Sequence, residues 1–287
     1  MSSNFSTEKM FFNRGSASLI LPKKSLGQNF LQDKNIINKI IASAGITKND
    51  NILEVGPGQG ALTFLLAYYA NKVIAIEKDD NLSQELKKTI QNLKINNIEI
   101  FNSDIIKELK QGKESEAIKK LGRHYRVIAN IPYYLTGPLI RLLLESNPQP
   151  ENITLMIQKE VAQRIVAAPP KMSLLSAAVQ YYANPKILFY VSKNCFWPRP
   201  KIDSAIINLE TKKSYSPNAQ VFLKIIKAGF SSPRKQLLNN LSLGLKINKE
   251  RLKNRLNENG FNHLRRAESL SVEEWENLVK IIYPVKS

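Results

Sequence analysis

From Asn51 to Ile157 the chain repeats one pattern, a short apolar run followed by a stretch of helical length. The runs fall at residues 51–55, 72–77, 98–101, 125–129 and 153–157, and residues 61–70 and 81–93 between them are expected to be helical. A strand that is apolar on both faces must be covered on both, and crossover helices do this for a parallel sheet. Two later runs, 187–191 and 205–209, are joined through the Pro-punctuated segment 196–200, and their closeness predicts an antiparallel edge. The expected fold class is α/β, a doubly wound and mostly parallel sheet with that edge.

After Glu210 the texture changes. Residues 211–217 are polar and end in Pro217, and apolar residues then recur at helical spacing in Val221/Phe222/Ile225/Ile226, Leu237/Leu238/Leu241 and Leu270/Trp275/Leu278/Ile281/Ile282. Gly244 and Gly260 are expected to stop helices. The shifts divide the chain into a flexible arm (1–22), a sheet domain (23–212) and a small helical domain (213–287). Within the arm, Met10-Phe11-Phe12 follows Glu8 and is too short for the apolar centre of a secretory signal.

Charge is concentrated in the helical part. The 42 Lys+Arg against 24 Asp+Glu give a formal net charge of +18, and between Lys224 and Arg266 eleven basic residues meet only Glu250 and Glu258. Such density suits a nucleic acid, whose phosphates release counterions on neutralisation, but it also suits a solvated lysine-rich surface. One cysteine, Cys195, excludes an internal disulfide framework and a CxxC metal site, and His124 and His263 are too few for a His-rich centre. No metal is therefore expected. No apolar run approaches the ~18–20 residues of a membrane helix. Cys195 and Trp275 read as packed residues, and both histidines as surface ones.

The chemistry is carried by strand ends. Glu54-Val-Gly56-Pro-Gly58-Gln-Gly60 falls where the first strand gives way to a helix, and Glu77 ends the second strand, where a carboxylate can take ribose hydroxyls. Gly56, Gly58 and Ala61 also satisfy the loose dinucleotide pattern, so the segment alone says only that the ligand contains adenosine. Three features favour S-adenosylmethionine over NAD. Glu54 places a carboxylate where a pyrophosphate would be repelled. Asp104, after the third strand, can accept a hydrogen bond from an adenine amino group. Asn130-Ile-Pro-Tyr133 ends the fourth strand. Taken singly, each acidic residue also fits a helix cap.

Asn-Ile-Pro-Tyr suits methylation of an exocyclic amine. The lone pair of adenine N6 is delocalised into the ring, and a side-chain carbonyl (Asn130) with a backbone carbonyl beside Pro132 can accept both N–H bonds and favour a pyramidal nitrogen. Pro132 stiffens the turn, and Tyr133 offers a face for an extruded base. The expected mechanism is in-line transfer driven by positioning, without a histidine base.

Five ordered segments, Leu26-Gly-Gln-Asn-Phe-Leu31, Glu54-Val-Gly-Pro-Gly58, Asn130-Ile-Pro-Tyr-Tyr134, Gln158-Lys-Glu-Val161 and Phe196-Trp-Pro-Arg-Pro-Lys-Ile-Asp-Ser204, resemble the rRNA adenine N6,N6-dimethyltransferase family. The resemblance runs from about Lys23 to the C-terminus. It implies a Rossmann-like, S-adenosylmethionine-dependent methyltransferase sheet with a small helical RNA-binding domain. It also implies dimethylation of two adjacent adenosines in the 3′-terminal hairpin loop of 16S rRNA, late in 30S subunit assembly, by a cytoplasmic monomer. Carried over by position, Asn29, Leu31, Gly56, Gly58, Glu77, Asp104 and Asn130 would hold the cofactor. Asn130, Pro132, Tyr133 and Phe230 would hold the target base, and Arg234 and Lys235 would contact RNA. Pro233 stands where the family has a third basic residue, and segment 168–173 is shorter than usual. Two alternatives stand beside this reading: a 23S rRNA adenine methyltransferase of the macrolide-resistance type, and a mainly non-catalytic ribosome-assembly factor.

Overall fold

The structure, a computed structural model, describes residues 21–23, 26–213 and 219–284. Residues 1–20 of the arm expected over 1–22, and most of the polar stretch 211–217, lie outside them. The chain divides into two compact units, Met1–Lys159 with Ile187–Thr211 and Glu160–Lys186 with Lys212–Ser287.

The first unit opens with a two-residue strand, β1 (Phe30–Leu31), and a helix, α1 (Lys34–Ala44), whose N-cap Asp33 accepts the amides of Asn35 and Ile36 at 2.9 and 3.2 Å. Strands β2 (Asn51–Val55), β3 (Lys72–Glu77), β4 (Ile98–Asn102), β5 (Arg126–Asn130) and β6 (Asn152–Gln158) follow, separated by helices α2 (Thr63–Tyr69), α3 (Asp80–Asn92), α4 (Ile105–Gln111), α5 (Glu116–Leu121) and α6 (Thr136–Glu145). Beyond α7 (Lys159–Ile165) and α8 (Leu174–Tyr182) come β7 (Ala183–Val191), the two-residue β8 (Phe196–Trp197) and β9 (Ser204–Thr211). The seven-stranded sheet runs β4-β3-β2-β5-β6-β9-β7, parallel from β4 to β6, with β9 antiparallel to β6. Central-strand side chains such as Ile52, Leu53, Val73, Ile74, Val127, Ile153 and Leu155 are fully buried, as expected for strands covered on both faces. The sequence runs found these strands to within a few residues. They did not find β1 and β8, which pair antiparallel as Phe30↔Trp197 and Leu31↔Phe196, because two residues carry no periodicity.

The strand order reverses between β2 and β5, and there the carboxyl ends of neighbouring strands part to leave a crevice. The Asn51–Tyr69 segment therefore delivers the glycine turn, and β3, β4 and β5 deliver Glu77, Asp104 and Asn130 to the same edge.

The second unit contains α8 with four later helices, α9 (Ala219–Gly229), α10 (Leu237–Leu245), α11 (Lys249–Glu258) and α12 (Val272–Ile282). Its centre is aromatic: Tyr181, Phe222 and Trp275 are fully buried, and the Tyr181 and Phe222 rings stack at 3.9 Å and 19°. That stack shows why Glu160–Lys186 belongs to this unit, an excursion that the boundary near residue 212 does not anticipate. Gly260 does follow a helix end, with φ of 66° just beyond the cap of α11. Gly244 does not stop a helix. It lies inside α10, where an added Cβ would stand 2.6 Å from Ala228 Cβ and 3.0 Å from Ala228 Cα, so it is there for close approach to α9. The stop is two residues later, at Lys246 with φ of 56°.

Gly244→Ala sets two effects against each other. Helix propensity gains up to about 1 kcal/mol, while overpacking against backbone costs about 1–3 kcal/mol. The clash wins, and thermal or denaturant unfolding is expected to show a net loss of about 1–2 kcal/mol.

Candidate active site

One cavity in the first unit is lined by nine of the residues singled out in the sequence: Asn29, Leu31, Gly56, Gly58, Glu77, Asp104, Asn130, Pro132 and Tyr133. Glu54 lines it as well. Its floor is a set of strand ends joined by hydrogen bonds. Gly56 N–H donates to the Ile76 carbonyl at 3.0 Å, Gly58 N–H to Glu77 Oε2 at 3.0 Å, and Asp79 N–H to Glu77 Oε1 at 2.8 Å. Gly58 has φ of 59°, and a Cβ there would lie 3.1 Å from the Phe30 ring. The turn therefore needs glycine for its backbone and for its neighbour.

Of the three acidic residues only Asp104 is a helix cap, and all three line the cavity. Asp104 caps α4 by accepting Ile106 N–H at 2.8 Å while its Oδ2 pairs with Lys78 at 2.8 Å. Burial pushes its carboxyl up, but the Lys78 ammonium and the cap N–H outweigh this and hold it below the usual carboxylate range. Burial has the larger say at Glu77, whose carboxyl is raised despite the N–H bonds from Asp79 and Gly58. Glu54 is more extreme. It is 2 % exposed, its Oε2 has no hydrogen-bond partner among the described residues, and burial pushes its carboxyl up to about 8 against the opposing pull of the Thr63 hydroxyl. A buried carboxylate oxygen without a donor, in a cavity wall, fits a ligand that brings an ammonium group.

At the Asn130–Tyr133 end of the cavity, Asn130 Nδ2 donates to the Asn29 carbonyl at 3.2 Å. A backbone carbonyl can only accept, so this bond fixes the amide and leaves Asn130 Oδ1 as an acceptor for something else. The Pro132 carbonyl accepts Leu135 N–H at 3.0 Å, so the backbone acceptor left at this turn is the Ile131 carbonyl. The Tyr133 hydroxyl lies 2.9 Å from Ser204 Oγ.

The other expected residues lie in the second unit. Phe230 follows α9 and does not line the cavity; its half-buried ring sits 5.5 Å from Trp275. Buried Asn240 holds the turn that carries Phe230, donating to the Gly229 and Ser232 carbonyls at 2.7 and 2.9 Å. Arg234 and Lys235 are exposed just beyond. Cys195 is half-buried with Sγ 3.6 Å from Asp33 Oδ2, His124 is exposed against Glu151 at 2.6 Å, and His263 is half-buried rather than fully on the surface. Among the lining residues not singled out from sequence are Lys78, Tyr134 and Phe196; Tyr134 closes and Phe196 opens a quoted segment, and that was their only signal.

The family model for ribosomal RNA adenine dimethylase matches residues 21–283. Ribosomal RNA small subunit methyltransferase A of Clostridioides difficile (strain 630) is 43 % identical over 265 residues, covering 90 % of each chain. The protein of that name from Dehalococcoides mccartyi (strain CBDB1) is 40 % identical over 259 residues, covering 89 % of this chain and 87 % of its own. Among solved structures, a dimethyladenosine transferase from Plasmodium falciparum superposes with a TM-score of 0.72 at 28 % identity, covering 87 % of this chain and 95 % of its own. The 23S rRNA methyltransferase ErmE gives 0.67 at 25 % identity, with 88 % and 98 % covered.

Glu54 makes stability depend on pH. With its carboxyl raised to about 8, the folded chain holds a proton that the unfolded chain has released above the ordinary carboxylate range, so stability falls as pH rises from there through about 8. Glu54→Gln removes this loss. Without ligand, the melting temperature of the variant is expected to rise relative to the parent between pH 5 and 9, and parallel curves would refute the assignment.

Proposed function

The chain belongs to the ribosomal RNA adenine dimethylase family, and from that premise we propose that it transfers two methyl groups to N6 of each of two adjacent adenosines in the 3′-terminal hairpin of small-subunit rRNA. The particle it meets is a late 30S precursor, and the compartment is the cytoplasm. The choice of subunit is supported by relatives at 40–43 % identity that are named for the small subunit, against 25 % for the one named for 23S rRNA.

S-adenosylmethionine, when bound, supplies an electrophilic methyl group. Glu54 Oε2 would take the ammonium of its amino-acid end, Glu77 the ribose and Asp104 the adenine amine. The backbone at Gly56 and Gly58, with Asn29 and Leu31 from the N-terminal side, closes around them. The single observation that carries the reaction is the fixed amide of Asn130. Asn130 Oδ1 accepts one N–H of the target amine and the Ile131 carbonyl the other, which draws the nitrogen out of conjugation with its ring. Pro132 holds φ at −57° and keeps these two acceptors in register. Tyr133 stacks on the extruded base. The proton is shed by the nitrogen to water after the carbon–nitrogen bond forms. The basic segment 224–266, with Arg234 and Lys235, holds the RNA backbone.

Asn130→Ala is expected to lower methyl transfer to isolated 30S particles by about 10²–10³-fold, with cofactor affinity changed far less. Undiminished transfer would remove Asn130 from the mechanism. Labelling confined to 50S particles would instead point to the large-subunit reading. Binding to 30S particles is expected to fall steeply with added salt, and charge reversal at Lys249, Arg251 and Lys253 to flatten that slope while leaving cofactor affinity unchanged.

A further inference from the structure

The cavity wall that faces the target base is held from behind by a corner that the functional reading has not used. Ser204 is the first residue of β9, fully buried, and registered opposite Gln158 at the end of β6. Its Oγ lies 2.9 Å from the Tyr133 hydroxyl. The residue before it is held twice: the Asp203 carbonyl accepts Lys159 N–H at 3.1 Å, and Asp203 Oδ1 accepts Lys193 N–H at 3.0 Å. Lys193 begins the short turn that leads directly into Phe196, a second aromatic residue of the cavity wall. Asp203 and Ser204 thus reach two of the aromatic residues that line the cavity, Phe196 by way of the Lys193 turn and Tyr133 directly.

We infer that Ser204 is a positioning residue that sets the plane of the Tyr133 ring. This rests on the reading of Tyr133 as the residue that stacks on the base. A tyrosine ring is anchored at its Cα end by the backbone, here stiffened by Pro132, but can still swing and tilt. A hydrogen bond at the para oxygen, from a donor or acceptor fixed in a strand, removes that freedom. The ring then waits as a preformed platform, and the base loses less freedom of geometry in binding to it. Since Ser204 sits behind the ring, it acts on the reaction only through Tyr133.

The test is a double-mutant cycle on the full chain with 30S particles, read by kcat and KM. It is paired with the emission of a hairpin RNA carrying 2-aminopurine at the target position. Ser204→Ala and Tyr133→Phe delete the same bond from opposite ends, and the second does so without disturbing the buried strand. Each is expected to lower kcat about 3- to 10-fold, the size of one lost hydrogen bond, and the pair together no further. Ser204→Thr, which keeps a hydroxyl, should recover part of the loss if it folds. On binding, stacking quenches 2-aminopurine, and both deletions should weaken the quench alike. Losses that multiply in the double variant, or a full quench and full kcat in Tyr133→Phe, overturn the role of Ser204. Tyr133→Leu tests the premise separately: a quench and kcat equal to the parent's would overturn stacking itself, and the role of Ser204 with it.

Discussion

Glu77 ties three strand ends together. One carboxylate oxygen takes the amide of Gly58 from the turn after β2, the other takes Asp79 at the start of α3, and its backbone carbonyl takes Ser103 N–H at the end of β4. A charged side chain with 5 % exposure survives there because backbone donors surround it. The crevice depends on this bundle of bonds. Without it, the glycine turn, the first cap of α3 and the approach to Asp104 would have no common reference. The same geometry explains why Asp104 doubles as a cap: a helix that begins where a strand ends offers free N–H groups at the crevice rim.

Much of this was legible in the residues. Apolar runs bounded by polar helices fix a parallel sheet, and the ends of such strands are where a ligand can approach, so Gly56, Glu77, Asp104 and Asn130 could be placed on one edge before any coordinates. What escaped has a common physical character. The β1–β8 pair joins residues more than a hundred and fifty positions apart through two-residue strands, and no local pattern encodes that. Gly244 fits a helix stop in every local respect, and only the distance to Ala228 shows that it was selected for smallness. The passage of Glu160–Lys186 into the second unit follows from where Tyr181 finds a stacking partner, a tertiary fact. Orientation escaped as well. The sequence contains Asn130, but the direction of its amide comes from a carbonyl at position 29.

The chemistry is correspondingly economical. On the proposed reading no acid–base side chain needs to titrate at the reacting nitrogen, since two acceptors and an aromatic face would do the work of positioning. That frees the chain from any need for histidine or cysteine in the cavity, and among its lining residues there is neither.

The orphaned oxygen of Glu54 has a consequence beyond the reaction. On the proposed reading the ammonium of the cofactor would give that oxygen its partner, so occupancy of the crevice would enter the folding equilibrium directly. A cell short of methyl donor would then hold this protein in a less stable form, more often open to proteases. Methyl supply would be felt in how many copies persist as well as in how fast each one turns over.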